Sequence, residues 1–257
     1  MQTRFVEIDD RNEDVKDLLG EDEAIALDFL TKYELSLFHH ENALEGTMYS
    51  VHELSAALSG ITVAEASTMK GYREITNDRA ALEWVRTESQ SKKLKVTLAT
   101  AQTLYRTLGL GFDDEAEAKA ELRAEVPLHR TYFHEIAPPA KIPALLEKLW
   151  TLCDSADFRQ LHPIQQSSRF QYEFMRIFPF TDRSGKIARL IGNLHLMHAR
   201  YLPCVIHSID RQRYFESFRF GEPHLRDLLL DSVDNALSNA EKYLKQALRA
   251  RARRAAR

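Results

Sequence analysis

The stretch Phe174-Met175-Arg176-Ile177-Phe178-Pro179-Phe180-Thr181-Asp182-Arg183-Ser184-Gly185-Lys186-Ile187-Ala188-Arg189 reads as the end of one helix, a turn, and the start of another. Phe174 and Ile177 close the first helix. Pro179 cannot continue it and biases Phe178 toward extended backbone. Asp182, Arg183, Ser184 and Gly185 make a polar turn, and Ile187, Leu190, Ile191 and Leu194 follow at helical spacing. A helix start carries unpaired backbone N–H groups and the positive end of the helix dipole. With Lys186 and Arg189 in its first turns, this start is expected to bind an anion. Asp182, just upstream, is a candidate ligand for magnesium. Anion and cation held at one point suggest a nucleotide phosphate.

The chain has 257 residues, 44% hydrophobic and 28% charged, enough for a real core in one large or two small domains. Its net charge of −3 does not argue for a nucleic-acid or membrane-surface protein. Cys153 and Cys204 are too few for a disulfide framework; they fit a reducing cytoplasm and read as small buried apolar residues. The N-terminus lacks an apolar signal core, and no apolar run long enough to cross a membrane occurs. The expected location is cytoplasmic, without membrane association. Only 9 glycines and little strand-like alternation predict a mainly α protein.

Outward from the central stretch, Phe158 to Ile177 forms the helix that enters it and residues 186–200 the one that leaves. Upstream, residues 1–20 read as a loose lead-in or one short helix. Ile25, Phe29, Tyr33 and Leu37 recur every four residues on a long helix that Gly46 ends. Ser50 and Glu53 make a capping box for a short helix closed by Gly60. Residues 62–70 are a short helix or loop, Asn77 to Arg86 a buried helix, and 94–108 a core helix. The acid-rich run 113–125 is expected to be solvated. Val126 to Ile136 is the best strand candidate, with His129 and His134 as surface polar residues. Residues 141–152 and 222–248 are helical. His195 and His198 lie one turn apart without a carboxylate partner, which is weak ground for a metal. Lys242, Lys245, Arg249, Arg251, Arg253, Arg254 and Arg257 form a basic tail. A frayed helical end is the simpler use, and any nucleic-acid or acidic-partner contact is confined to it.

The central stretch resembles the Fic (Fido) motif H-P-F-x-D-G-N-G-R-x-x-R. Pro179, Phe180, Asp182, Gly185 and Arg189 match. Phe178 stands in place of the histidine, Arg183 of a glycine, Ser184 of the asparagine and Lys186 of the first arginine. Leu161-His162-Pro163, Asn193-Leu194-His195-Leu196-Met197, Tyr201-Leu202-Pro203 and Arg213-Tyr214-Phe215 continue the likeness, as does Glu74-Ile75-Thr76-Asn77. Glu45-Gly46 resembles the end of the family's inhibitory helix S/T-x-x-x-E-G/N, with Glu41 where Ser or Thr is preferred.

The resemblance implies a Fic-type helical bundle with a small β-hairpin flap over 126–136. It divides the chain into an N-terminal helical region (1–92), a Fic core (93–235) and a basic C-terminal helix or tail (236–257). It implies ATP or another nucleotide and Mg2+ as cofactors. Ser184, Gly185, Lys186, Arg189 and Tyr214 would bind the nucleotide, and Asp182 the metal. Glu45 would pair with Arg189 and block the γ-phosphate position. The flap would align a protein target, and a homo-oligomer is possible in this frame. The family transfers AMP from ATP to a protein hydroxyl, with the motif histidine as base. Phe178 cannot accept a proton, and losing a general base costs roughly 10²–10⁴ in rate. The expectation is therefore a Fic-fold protein with a degenerate site, weak or inactive in AMP transfer and still able to bind a nucleotide or anion. The alternatives are a nucleotidyl- or phosphotransferase or de-AMPylase with altered mechanism (a base such as His195, another nucleotide orientation, or Glu45 positioning water to remove AMP), and a non-catalytic protein-interaction module.

Overall fold

The computed structural model describes residues 2–60, 66–112, 120–127 and 134–255. In chain order the α-helices are α1 (Gln2–Glu21), α2 (Glu23–Leu44), α3 (Val51–Leu58), α4 (Ala66–Ser89), α5 (Leu98–Gly109), α6 (Ile142–Asp154), α7 (Ala156–Arg159), α8 (Pro163–Ile177), α9 (Ser184–His198), α10 (Arg211–Phe220) and α11 (Glu222–Ala255). The architecture is mainly α.

The central pair is α8 and α9, packed against each other and joined by the short turn that the sequence places there. The start of α8 is fixed locally: Pro163 sits at the first helical position, and the His162 ring accepts from the Ile164 N–H at 3.2 Å. Phe170, Phe174, Ile187, Ala188 and Ile191 are fully buried between the two helices and their neighbours. Helix α9 is covered by α4 and α5 as well as α8, which accounts for its nearly continuous burial.

Helix α2 begins on an Asp22 cap, whose carboxylate accepts from the N–H groups of Ala24 and Ile25, each at 3.1 Å. It ends as the glycine requires. Gly46 has φ 93°, its N–H donates to the Ala43 carbonyl at 3.1 Å, and the Thr47 N–H donates to the Asn42 carbonyl at 2.9 Å. This Schellman-type end fixes the last turn of α2, which carries Glu41 and Glu45. The Ser50–Glu53 capping box forms as the sequence predicts, with bonds of 3.2 and 2.7 Å. The lead-in is a full helix: α1 lies along α11, tied by ion pairs Arg4–Asp231 and Arg11–Asp234. Helix α11 runs through residue 236 without a break, and its basic end pairs once with the α2 cap, Arg251 to Asp22.

The expected hairpin over 126–136 is not found; no strand occurs among the described residues. Leu128, His129, Tyr132 and Phe133 lie outside them, while Val126, Pro127 and the flank from His134 onward are irregular. The flanking backbone has other partners. The Ala137 N–H donates to the Arg176 carbonyl at 2.9 Å, and the Arg123 N–H to the Pro179 carbonyl at 2.9 Å. His134, expected on the surface, is buried, with Nε2 3.0 Å from the Met175 carbonyl. The residues flanking 126–136 are thus bonded to the end of α8 and the turn after it.

Candidate active site

The turn between α8 and α9 is held by its own backbone and by one residue from far upstream. Phe178 keeps the helical bond, its N–H donating to the Phe174 carbonyl at 2.8 Å, but its backbone is left-handed (φ 48°, ψ 66°) rather than extended. A following proline disfavours the right-handed helical region for Phe178, and left-handed closure satisfies both demands. The Phe178 ring is buried, 2% exposed. Arg123 lies behind it: Nε donates to the Phe178 carbonyl at 2.6 Å, and the rest of the guanidinium donates to the carbonyls of Ile177, Glu125 and Ala137. Nothing in the local sequence pointed to Arg123; its only signal is an arginine at the end of an acid-rich run.

Ser184 opens α9. Its buried hydroxyl accepts from the Phe180 N–H at 3.1 Å and donates to the Phe180 carbonyl at 3.2 Å, so it is committed to the turn. Arg183 is left-handed too, with φ 58°, at a position where the Fic motif has glycine. Its guanidinium lies over the Tyr105 ring, 5.1 Å from the centroid, and approaches Gly109. Asp182 is half exposed, with Oδ2 3.5 Å from an Arg183 nitrogen.

The two basic residues of α9 are each gripped by a pair of carboxylates one turn apart on another helix. Arg189 is 2% exposed; Nε donates to Glu41 at 2.7 Å and one terminal nitrogen to Glu45 at 2.6 Å, both on α2. Its other terminal nitrogen, Nη1, is buried without a hydrogen-bond partner. The Tyr214 ring lies 5.6 Å from the guanidinium, and its hydroxyl donates to Gln171 at 3.2 Å. Lys186 Nζ donates to Glu74 at 3.1 Å, to both Asp78 oxygens at 2.9 and 3.0 Å, and to Asn42 at 2.9 Å. Asn42 closes the knot by donating to Asp78 at 3.0 Å. Burial pushes the Glu41 and Asp78 carboxyls above the ordinary range, outweighing Arg189 and Lys186. Burial acts the same way on Glu74, but Lys186 and the Tyr49 hydroxyl together bring it below. Burial disfavours the charged Lys186, yet Asp78 and Glu74 hold its pKa above the ordinary value.

A cleft of about 330 Å³ opens between these groups, lined by Glu45, Glu74, Asp78, Lys186, Asp182 and Arg183 among others; no histidine lines it among the described residues. The expected anion site therefore carries its own anions. Glu45 Oε1 would lie 2.8 Å from a Cβ built on Gly185, so the carboxylate fills the space above the start of α9. An anion would reach that space only with Glu45 withdrawn, and Nη1 of Arg189 has no hydrogen-bond partner beside it. No group of three or more His, Cys, Asp or Glu residues among the described residues could hold a metal ion by itself. Magnesium in nucleotide sites rests largely on phosphates and water with one or two carboxylates, a role that Asp182 fits.

His195 is remote from this cleft, buried between Phe158 (ring centroids 5.4 Å apart) and Phe170 (5.9 Å). Cys153 and Cys204 are buried free thiols, each pushed up to about 12 by burial. No helix among the described residues is long and apolar enough to cross a membrane.

A left-handed turn after one buried helix, a second helix whose start faces a cleft, and a glutamate from an upstream helix set over that start are the features the Fic resemblance implies. The comparisons agree. Residues 95–196 match the Fic/DOC family, and the chain carries a Fic/DOC family domain there. A protein adenylyltransferase Fic of Nematostella vectensis is 29% identical over 184 residues, 69% of this chain and 41% of its own length. One of Drosophila grimshawi is 24% identical over 207 residues, 80% of this chain and 42% of its own. This chain thus spans about two fifths of these curated relatives. Among solved structures, a Fic domain containing signaling protein from Bacteroides thetaiotaomicron superposes with a TM-score of 0.79 at 24% identity, covering 93% of this chain and 97% of that one. Fic-1 from C. elegans gives 0.76 at 17% identity, covering 94% and 71%.

Proposed function

We propose that this chain is a Fic-fold protein in which AMP transfer is silenced at two points, the base and the phosphate cradle, while a nucleotide-binding capacity is kept in reserve. One observation carries the reading: the residue in place of the motif histidine is a phenylalanine with its ring buried, and among the described residues no histidine lines the cleft to replace it. A hydroxyl entering the cleft meets no imidazole of the described residues. The cradle is closed independently, because Glu41 and Glu45 hold Arg189 and Glu45 covers Gly185. Withdrawing the end of α2 would free the Arg189 guanidinium and the first N–H groups of α9 for the phosphates of a nucleotide. Asp182 would then hold magnesium against them. That ion would supply charge neutralisation; the chain's own residues position the nucleotide.

The test has two arms. Calorimetry with ATP and magnesium should show weak binding to the wild type. Binding should tighten by at least about tenfold in Glu41→Ala/Glu45→Gly, the equivalent of ~1.4 kcal/mol. Incubation with ATP labelled on the α-phosphate and a lysate should give no transfer by the wild type. Phe178→His alone should also give none, because Arg183, Ser184 and Lys186 remain. Robust labelling by the wild type, or by that single variant, would refute silencing; unchanged ATP affinity in the double variant would remove the cradle.

A further inference from the structure

The end of α2 that carries Glu41 and Glu45 is fastened on two sides. On one side lie the ion pairs to Arg189. On the other, His40 and Leu44, one turn apart, meet the segment 207–211. The Ser208 N–H donates to His40 Nδ1 at 3.2 Å, the Ser208 hydroxyl lies 3.3 Å from the same nitrogen, and Arg211 Nε donates to the Leu44 carbonyl at 2.8 Å. This second fastening is built around imidazoles. The half-buried His40 ring lies 4.3 Å from that of the exposed His207 and 5.1 Å from that of His39, centroid to centroid. His39 Nδ1 lies 3.4 Å from the Tyr49 carbonyl, just past the end of the helix.

The bond to Ser208 fixes the His40 tautomer. A ring nitrogen that accepts from a backbone N–H carries no proton, so the hydrogen sits on Nε2. Imidazolium donates from both nitrogens, so a second proton on His40 would set donor against donor at Ser208. The groups around it do not welcome that charge: His39 on its own helix, His207 on the facing segment, and the cation Arg211 at the start of α10. The acids nearest in sequence are Glu41, which binds Arg189, and Asp210 at the end of the 3-10 turn Ser208–Asp210. Among the described residues no carboxylate pairs with His39, His40 or His207; the histidine ion pair found is His162 with Asp9. We propose that His40 is a proton-operated catch on the end of α2: neutral, it holds Glu41 and Glu45 over the start of α9; protonated, it lets that end go. As control of the nucleotide cleft this rests on the function proposed above; as a hinge in α2 it stands on the His40 contacts alone. Burial and the two neighbouring imidazoles lower the docked His40 pKa to about 4 from the ordinary 6.5, which release restores. Docking is therefore fully favoured above the ordinary value and weakens as pH falls below it, by up to about tenfold per pH unit. Glu41 acts in the opposite sense, since its raised carboxyl favours the docked state in acid.

Comparison with His40→Asn in the full chain removes the Glu41 contribution, because the Asn oxygen can accept from the Ser208 N–H and takes no proton. Hydrogen exchange over residues 40–47, corrected for its intrinsic pH dependence, is followed without nucleotide. Between about pH 7.5 and about pH 5.5, wild-type protection should fall by about tenfold relative to the variant. The same pH dependence in both proteins overturns the proposal. Ring-nitrogen NMR of the wild type checks it without any substitution: His40 should be the Nε2–H tautomer at neutral pH, with a midpoint below the ordinary histidine value. An Nδ1–H tautomer, or an ordinary midpoint, overturns it as well. Calorimetry with ATP and magnesium should follow the exchange, the wild type gaining about tenfold in affinity over His40→Asn across the same range. Opening in acid without that gain, while Glu41→Ala/Glu45→Gly binds ATP tightly, overturns control of the cleft by His40. If the double variant binds ATP no better than the wild type, the nucleotide reading has failed, and the exchange comparison still decides the catch.

Discussion

Two carboxylate clamps grip the first turns of α9, and they differ in what they leave over. At Lys186, Glu74, Asp78 and Asn42 offer four acceptor contacts between 2.9 and 3.1 Å to three ammonium hydrogens. At Arg189, Glu41 and Glu45 take one contact each, and Nη1 stays unmatched. A compact ammonium can be saturated by a small knot, whereas a guanidinium fork with five donors keeps some in hand. Solvent does not separate them: each clamp has one covered and one more open carboxylate, Asp78 at 7% and Glu74 at 26% around Lys186, Glu41 at 15% and Glu45 at 25% around Arg189. The clamp around Lys186 is saturated, whereas the clamp around Arg189 leaves one buried donor over.

The sharpest way to break this contrast is Lys186→Met, which leaves Asp78 and Glu74 without their cation. The expected loss is about 3–5 kcal/mol in urea unfolding, the cost of stranding a buried charge. A loss below 1 kcal/mol would mean the knot is not structural. Next in size, Glu41→Ala should cost about 1–3 kcal/mol by leaving Arg189 Nε buried and unmatched. Glu45→Ala should cost less, because solvent already reaches that carboxylate; the reverse ranking would deny that Glu45 is the releasable member. A smaller effect depends on pH. The raised Glu41 pKa means the native state binds that proton more readily than the unfolded chain does. As pH falls from neutrality toward the ordinary carboxylate value of 4.5, the wild type should gain stability relative to Glu41→Gln. The gain is at most ~1.4 kcal/mol per pH unit. The opposite slope would show that Arg189, not burial, governs Glu41. Smallest of all, Arg183→Gly should move stability by no more than about 1 kcal/mol. It relieves a left-handed residue but loses the contact over Tyr105, and Arg183 bonds to neither clamp. Thermal unfolding measures it.

The hairpin of α8 and α9 was legible because helical spacing, proline and the polar turn agree on it. The Glu45–Arg189 pair was legible only through the Fic resemblance. Phe178 was expected extended and is left-handed; the proline bias excludes one region without choosing between the other two. Glu41 looked like a departure from the inhibitory pattern and turns out to be the second half of the clamp. Lys186 read as an anion ligand, but its partners come from α4, more than a hundred residues upstream, and no periodicity announces contacts at that range. The spacing of Glu74 and Asp78, one turn apart beside the buried Ile75, Ala81 and Leu82, was the available clue. Side-chain pattern suggested a strand over 126–136 and the Fic resemblance a hairpin; no strand occurs among the described residues there, and the flanking Arg123 and Ala137 N–H groups are bonded to Pro179 and Arg176.

Arg123 reaches the Phe178 carbonyl across 55 positions of chain, and its backbone N–H holds the Pro179 carbonyl as well. The loop's shape is therefore owned by the whole domain rather than by its own letters. Excised as a peptide, residues 163–198 would carry the motif intact and still lack the stitch that sets its bend.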